Sequence, residues 1–230
     1  MSTREPLSTH RSSLIAWLTP QRLDEPELLD EHDAPIADAE RSLRDLRRIN
    51  KYFGGVAIYK RLLRRAGHPR SILDVGTGTS DLLEVVDGFR VGLDFKIDHL
   101  LYQRNRAIHK VVGDAKNLPF RDGSFDAVTS AHFFHHFTPD ENAGILGDML
   151  RVARRAVLVN DTRRHRLPLL FVQLLGALRL VGRITRFDAP GSVRRGYTVE
   201  EARDIAKRVP GGRAEVVKLL PFRFGILLWK

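Results

Sequence analysis

The chain of 230 residues is long enough for one α/β domain with a short extension and too short for two ordinary domains. Its apolar fraction of 43% suffices for a full core, and its charged fraction of 29% argues against a chain that stays unfolded. Cysteine is absent, which excludes disulfides, thiolate nucleophiles and Cys-ligated zinc and favours an intracellular, cytoplasmic protein.

The net charge of +10 raises nucleic acid and anionic membranes as partners. The basic residues are scattered along the sequence, however, and aromatic residues do not interleave with them as on an RNA-stacking surface. We therefore disfavour a nucleic-acid partner and leave peripheral membrane contact and a homodimer open. Residues 1–22 lack the apolar stretch of a signal peptide, and Leu167–Gly182 is too short and too interrupted to span a membrane.

The N-terminal part of the chain changes character near residue 38. Residues 1–39 are polar and broken by prolines, apart from a short apolar patch at Leu14–Leu18 that suits a helix or a docking arm. From Asp38 to Ala66, apolar residues recur at three- and four-residue spacings, which predicts helix, and Gly54-Gly55 divides it in two. We assign residues 1–66 to an N-terminal helical extension and residues 67–230 to the main domain.

Short apolar runs then alternate with helical patterns. The predicted strands are Ser71–Val75, Arg90–Asp94, Lys110–Gly113, Phe125–Ser130 and Ala156–Asn160. The predicted helices between them are Asp81–Val86, Ile97–Asn105 and Pro139–Ala153. This alternation favours a mostly parallel sheet with right-handed crossovers.

The last third differs in composition. We expect an apolar helix at Leu167–Leu180, a basic loop at Gly182–Gly196 and a helix at Val199–Val209 that begins with a capping box. Two final strands, Arg213–Leu220 and Arg223–Trp229, are joined so closely that they must form an antiparallel hairpin. The fold class predicted is α/β, with a doubly wound, seven-stranded, mostly parallel Rossmann-like sheet.

A glycine-rich turn follows the first strand, at Asp74–Leu82. Glycines at such a turn let a ligand approach the backbone closely. Asp81 stands where a dinucleotide site needs glycine and would repel a pyrophosphate, and no phosphate-loop lysine follows. What remains suits a nucleoside without phosphates, and Asp74 suits a ligand that carries an ammonium and a sulfonium. The alternative is a plain strand-to-helix turn.

Two further acids follow neighbouring strands. Asp94 closes the second strand and can accept both ribose hydroxyls, or it caps the next helix. Asp114 follows the third strand and can accept the adenine amino hydrogens, or it belongs to a turn.

Together with the Asp122–Val128 turn, these motifs closely resemble class I S-adenosylmethionine (SAM)-dependent methyltransferases, in particular the ubiquinone/menaquinone-biosynthesis branch, over about residues 70–160. The family's third glycine is replaced by Ser80. The resemblance implies SAM as cofactor and a set of binding residues: Asp74, Gly76 and Gly78 around the methionine half, Asp94 at the ribose, Phe95 and Lys96 beside the adenine, Asp114 and Ala115 at its edge, with Thr77 and Ser130 completing the set.

A narrower resemblance concerns the extension. Ser42–Asn50 with Gly54-Gly55, and later Arg194–Thr198, are similar to bacterial methyltransferases found beside type III polyketide synthases. This resemblance implies a phenolic, quinone-like or polyketide-derived acceptor.

Three histidines follow the fourth strand, where the transferable methyl group would lie. We nominate His136 and His135 as candidate bases and His132 as a weaker one, because imidazole accepts protons near neutral pH. Alternatively, one of them caps the helix at Pro139. We expect no metal site, because the adjacent rings of His135 and His136 should diverge. Asp161 is another candidate base, with Asn160 as an orienting group, although Asp161 also suits loop capping.

The insertion at about residues 164–197 is expected to cover the active site. Its apolar helix suits an aromatic or lipid-tailed acceptor, or else belongs to the core or to a dimer contact. Its arginines suit a carboxylate, or else are solvated. We weigh two other functions: an RNA methyltransferase, which the charge supports but no base-methylation motif does, and a non-catalytic SAM-fold subunit.

Overall fold

The structure, a computed structural model, describes residues 17–23, 27–30, 35–102 and 105–230. Most of the predicted docking patch Leu14–Leu18 lies outside the described residues. The first long elements are helices α1 (Ile36–Tyr52) and α2 (Gly55–Arg65). Between them Gly54 adopts a φ of 88°, a conformation that favours glycine, so the predicted division of the helical region is confirmed.

Seven strands form one sheet in the order β3-β2-β1-β4-β5-β7-β6. The strands are β1 (Ser71–Val75), β2 (Phe89–Asp94), β3 (Ile108–Val112), β4 (Phe125–Ala131), β5 (Ala153–Thr162), β6 (Arg213–Leu219) and β7 (Arg223–Trp229). The first five strands are parallel, and β7 lies antiparallel between β5 and β6. The predicted fold class is therefore confirmed, including the C-terminal hairpin.

The chain reverses its direction of winding at β1, which lies between β2 and β4. Asp74 near the end of β1 pairs with Gly92 on one side and with Thr129 on the other. In open α/β sheets ligands bind outside the carboxyl ends of the strands at such a point. The topology thus places the glycine-rich turn beside the ends of β2 and β4.

Five more helices complete the described part of the fold. They are α3 (Ile97–Tyr102), α4 (Pro139–Val152), α5 (Arg166–Ala177), α6 (Arg183–Arg195) and α7 (Val199–Lys207). Helix α7 begins with the predicted capping box, in which Thr198 and Glu201 satisfy each other's backbone amides. A second capping box, made by Thr138 and Glu141, begins α4, so no histidine caps that helix.

Two predicted elements are wrong. The predicted helix Asp81–Val86 is only a 3₁₀ turn at Leu83–Val85, because Ser80 adopts a positive φ just before it and Gly88 turns the chain against Arg70 soon after. The predicted loop Gly182–Gly196 is helix α6, in which Ile184 and Val193 are buried while Arg183 and Arg186 are exposed. That burial was not visible in so basic a segment.

The core occupies both faces of the sheet. One face packs against α4 and α7 through residues such as Leu146 and Ile205, and the other packs against α2 through Tyr59 and Leu62. None of the helices in the described ranges has both the length and the apolar character that crossing a bilayer requires.

Candidate functional site

A cavity of about 460 Å³ opens at the carboxyl ends of β1, β2 and β4. Most of the predicted cofactor residues line it, namely Gly76, Thr77, Gly78, Asp94, Phe95, Lys96, Asp114 and Ala115. Residues that follow β1, β2 and β3 thus meet around one space, together with His132 after β4.

The glycine-rich turn forms one wall of this cavity. Gly76 has a φ of 66°, and a Cβ there would lie 2.2 Å from the ring of Phe133. Gly78 has a φ of 52°, and a Cβ there would meet no described atom within 4 Å. The turn therefore needs glycine at Gly76 for packing, whereas at Gly78 the backbone faces open space that a ligand can occupy.

The carboxylate of Asp94 is oriented by the backbone around it. One oxygen accepts a hydrogen bond from the amide of Gly78 at 2.7 Å, and the other accepts one from the amide of Lys96 at 2.9 Å. Burial alone would raise the pKa of Asp94, but the hydrogen bond with His99 and these amides lower it. The group is an ionised acceptor with lone pairs left for two hydroxyls.

The adenine side of the cavity is more open. The ring of Phe95 is 71% exposed, and Asp114 is exposed beside the buried Ala115. An exposed ring at a cavity rim offers a stacking face, and the second oxygen of Asp114 can accept an amino hydrogen, since its Oδ1 accepts the Lys116 amide.

Two predicted cofactor residues, Asp74 and Ser130, do not line the cavity. Asp74 accepts hydrogen bonds from Thr77 at 2.9 Å and from Thr129 at 2.6 Å. Burial raises the pKa of Asp74 to about 7, and the nearby carboxylates of Asp81 and Asp94 add to this effect. Ser130 donates to the carbonyl of Val75 at 2.8 Å. Both residues support the turn from behind.

Asp81 and Asn50 instead line the end of the cavity next to the glycines. Asn50 Nδ2 donates to Asp81 at 3.2 Å, and Thr79 donates to the other carboxylate oxygen at 3.0 Å. Sequence analysis used Asp81 only to exclude a pyrophosphate and missed Asn50. No sequence signal distinguishes Asn50 from the other polar residues of helix α1, and only the structure shows that it is buried.

Asp161 lies behind the opposite wall. Its carboxylate accepts the amides of Phe133 and His135, each at 3.1 Å, and contacts His135 Nδ1 at 2.8 Å. Burial alone would raise the pKa of Asp161, but the charge and hydrogen bond of His135 lower it well below its ordinary value. These bonds fix the 3₁₀ turn Phe134–His136, as expected of loop capping.

His135 is held between two carboxylates. Its Nε2 lies 3.4 Å from Glu27, which the N-terminal extension contributes and sequence analysis missed. Burial alone would lower the pKa of His135, but Asp161 and Glu27 raise it to about 9. His135 is therefore protonated at neutral pH and poorly suited to accept a proton.

The rings of His135 and His136 do not diverge, contrary to the expectation from their adjacency. They lie 4.4 Å apart at an angle of 31°, and both Nε2 atoms face Glu27, because the 3₁₀ turn replaces regular backbone. Ligand atoms of these three residues lie within 4.8 Å of one another, a spacing that could hold a metal ion. Arg195 and Ser192 already donate to the same carboxylate, so protein groups balance its charge.

His132 differs from its two neighbours. It lines the cavity with a φ of 54°, and its Nδ1 lies 3.0 Å from Thr162 Oγ1. Its buried Nε2 has no hydrogen-bond partner among the described residues. Burial, aided by the charge of Arg223, lowers the pKa of His132 well below its ordinary value, so the ring is neutral. A neutral imidazole with an unused nitrogen at a cavity can accept a proton or a hydrogen bond.

A second cavity, of about 680 Å³, lies between residues 17–23 and helices α5 and α6. Its lining includes Trp17, Leu169, Leu170, Phe187 and Arg194. Glu27 lines both this cavity and the first one. The N-terminal segment thus forms a partition between the cavity at the sheet and the cavity under the insertion.

Comparisons with known proteins agree with this geometry. Residues 73–159 match the family described as a methyltransferase domain. The chain is 38% identical over 109 residues to a demethylmenaquinone methyltransferase from Roseiflexus sp., covering 43% of this chain and 45% of the relative. It is 39% identical over 83 residues to a probable tRNA methyltransferase from Homo sapiens, covering 35% of this chain and 18% of the relative.

The fold has solved counterparts. The structure of the plantazolicin methyltransferase BpumL, in complex with a monoazolic desmethylPZN analog and S-adenosylhomocysteine (SAH), superposes with a TM-score of 0.62 at 13% identity, covering 83% of this chain and 90% of that one. At this identity the likeness concerns the fold alone.

The match and the fold define the class: residues 73–159 form a methyltransferase domain, within a chain that has the fold of solved SAM-dependent methyltransferases. The relatives that match this region include demethylmenaquinone methyltransferases, from the branch that the motifs resemble. The chain spans less than half the length of the Roseiflexus relative. The narrower resemblance to methyltransferases beside polyketide synthases stays a prediction.

Proposed function

We propose that this protein transfers the methyl group of SAM to an apolar, phenolic or quinone-like small molecule. The observation that carries the proposal is the pair of adjoining cavities, which meet at Glu27: one is lined by the predicted cofactor residues and the other by large apolar side chains together with arginines. The demethylmenaquinone methyltransferases among the relatives support a quinone-like acceptor.

The residues of the first cavity fit a nucleoside sulfonium. We assign the ribose to Asp94, the adenine to Phe95, Asp114 and Ala115, and the methionine half to Gly76, Gly78, Asp81 and Asn50. Open space beside Gly78 and carboxylates at both ends of the cavity match a ligand that carries hydroxyls and an ammonium. SAM, when bound, supplies a methyl group on a positively charged sulfur.

The chain's own residues would align the acceptor and receive its proton. Alignment of the nucleophile, the methyl group and the sulfur can lower the barrier to methyl transfer by about 7–11 kcal/mol at best. We assign the proton to Nε2 of His132, which is neutral and lines the cavity, with His136 as the second candidate. His135 and Asp161 act as positioning residues that hold the turn.

Several assignments remain part of the proposal. They are the boundary between extension and domain at residue 66, the covering role of residues 164–197 and the cytoplasmic location suggested by the absence of cysteine. The second cavity supports the covering role, because α5 and α6 both border it.

A transfer assay with methyl-labelled SAM tests the function. We expect label in an organic extract when a hydroxylated naphthoquinol or an alkylated phenol is the acceptor, and none in bulk RNA. Label in RNA alone would support the alternative suggested by the tRNA methyltransferase relative. SAM binding without transfer to any acceptor would favour a non-catalytic subunit.

A further inference from the structure

Helix α5 leaves an apolar stripe in solvent. Leu167, Leu170, Leu174 and Leu178 lie on one face of the helix and its C-terminal end, and each is 56–61% exposed. Phe187 of α6, 57% exposed, and Trp17, 58% exposed, lie at the cavity next to Leu170. We call these six residues the leucine face. Single exposed apolar residues are ordinary, but an aligned set marks a contact surface.

The charges around the leucine face have one sign. Arg166, Arg179, Arg183 and Arg186 are exposed on α5, in the connection to α6 and in its first turn. Asp188 is the single acid between residues 163 and 195, and it is buried, where it accepts the amides of Leu28 and Leu29 at 2.8 and 3.0 Å. The exposed charge of this region is therefore entirely positive.

From this pattern we infer that the leucine face docks on an anionic membrane surface. Apolar side chains flanked by arginines are the pattern of helices that lie in the headgroup region, where tryptophan is also favoured. Helix α5 has 12 residues, about 18 Å, which suits lying on a bilayer whose apolar core is about 30 Å thick. A second copy of the chain would instead bring arginines against arginines, which disfavours a symmetric dimer through this face.

The position of the leucine face beside the second cavity has a consequence for how the acceptor enters, which rests on the proposed function. Leu170, Phe187 and Trp17 belong both to the leucine face and to the wall of the second cavity. Docking would therefore bring that cavity to the membrane, and an acceptor with a lipid tail could enter without crossing water.

Vesicle binding tests this inference independently of catalysis. The protein has two tryptophans, so Trp229→Phe leaves Trp17 as the only indole. We expect this variant to float with vesicles that contain phosphatidylglycerol, with a blue shift of Trp17 emission, and to be released by salt. Vesicles of phosphatidylcholine alone should bind at least about tenfold more weakly, because each arginine near an anionic surface contributes about fivefold.

Matched substitutions locate the surface. Leu170→Asp with Leu174→Asp, or Arg179→Gln with Arg183→Gln, should reduce vesicle binding at least about tenfold. Leu101→Asp on α3, where the side chain is 65% exposed, and Arg203→Gln on α7 should leave it unchanged. SAM titration of each variant confirms folding and separates this test from that of the proposed function.

Either of two results would overturn the inference. One is the absence of anionic vesicle binding by a protein that still binds SAM. The other is a stable dimer in solution that Leu170→Asp dissociates, which would assign the leucine face to a second copy of the chain.

Discussion

His132 combines two properties that set it apart from other residues at the cavity. Its backbone has a positive φ, which is uncommon outside glycine and tends to occur at functional sites. Its ring is neutral and presents a buried, unpartnered nitrogen. His135 has the opposite character, because two carboxylates keep it protonated. The two histidines after β4 therefore have different chemical roles: His132 can accept a proton, whereas His135 is already protonated.

Replacement of His132 tests this distinction. We expect His132→Ala to lower kcat by about 10²- to 10⁴-fold and to leave the Kd for SAM nearly unchanged, because a lost proton acceptor affects the chemical step. His68→Ala is the matched control, since His68 has a similar φ of 51° and lies exposed outside the site. A normal kcat in His132→Ala together with a large loss in His136→Ala would transfer the role to His136.

Gly76 offers a second test at this scale. Gly76→Ala must strain the backbone and also displace Phe133, whereas Gly123→Ala, at a φ of 60°, meets no described atom within 4 Å. We expect Gly123→Ala to cost about 1–2 kcal/mol of unfolding free energy from backbone strain. Gly76→Ala should cost about 1–3 kcal/mol more from the clash. Urea unfolding measures both, and equal losses would contradict the packing role of Gly76.

Individual residues were predicted unevenly. Asp94 and Asp114 follow buried strands, so their position at one sheet edge was readable from the pattern. The side-chain direction of Asp74 was not, because strand periodicity cannot say that Thr77 and Thr129 would enclose it. Glu27 lies in a polar segment with no pattern of its own, and only the fold brings it to His135.

At the scale of elements, the turn after β4 is fixed by charges from three parts of the chain. Asp161 extends from β5, Glu27 from the N-terminal segment and Arg195 from α6. Asp188 and Ser192 of α6 also hold the N-terminal segment, through the amides of Leu28 and Leu29 and the carboxylate of Glu27. Contacts among these elements therefore hold the partition between the two cavities in place.

This network predicts a pH dependence of stability. The raised pKa of His135, about 9 against an ordinary 6.5, contributes stability that is fully present below pH 6.5 and is lost as pH rises through 9. The lowered pKa of Glu27, about 2 against 4.5, contributes stability that is present above pH 4.5 and is lost as pH falls through 2. The network therefore stabilises the folded protein most between pH 4.5 and pH 6.5, where both contributions are fully present.

Chemical unfolding across pH measures this effect. The unfolding free energy of the wild type should fall between pH 6.5 and 9, and His135→Gln should flatten that slope while lowering stability below pH 6.5. The exposed His109→Gln serves as the control. An unchanged slope in His135→Gln would show that His135 is not held protonated in the folded protein.

Elements with strong periodicity were predicted well, and those that depend on tertiary contacts were not. Strands β1, β2 and β4 lie within one residue of their predicted bounds, and α7 carries its own cap, so local sequence largely determines them. Helix α6 was predicted to be a loop because its basic sequence shows no clear helical periodicity around Ile184 and Val193, the two apolar residues that the fold buries. The segment after Ser80 has helical composition, but the positive φ at Ser80 is set by the turn.

At the scale of the whole molecule, three parts of the chain meet at one place. The parallel sheet supplies the acids and glycines, the extension supplies Asn50 and Glu27, and the insertion supplies one wall of the second cavity and most of the leucine face. The residues that match the methyltransferase domain family cover only the first of these parts. The extension and the insertion, which differ from that domain, are therefore where we expect acceptor choice to be determined.

The most direct measurement is calorimetric titration with SAM. We predict saturable binding that S-adenosylhomocysteine displaces. Asp94→Asn should weaken it about 10- to 100-fold, because hydrogen bonds to a charged acceptor are lost, whereas Asp98→Asn, at an exposed position on α3, should not change it. No binding by the folded wild type, or equal affinities in the two variants, would contradict a SAM site at the carboxyl ends of β1 and β2.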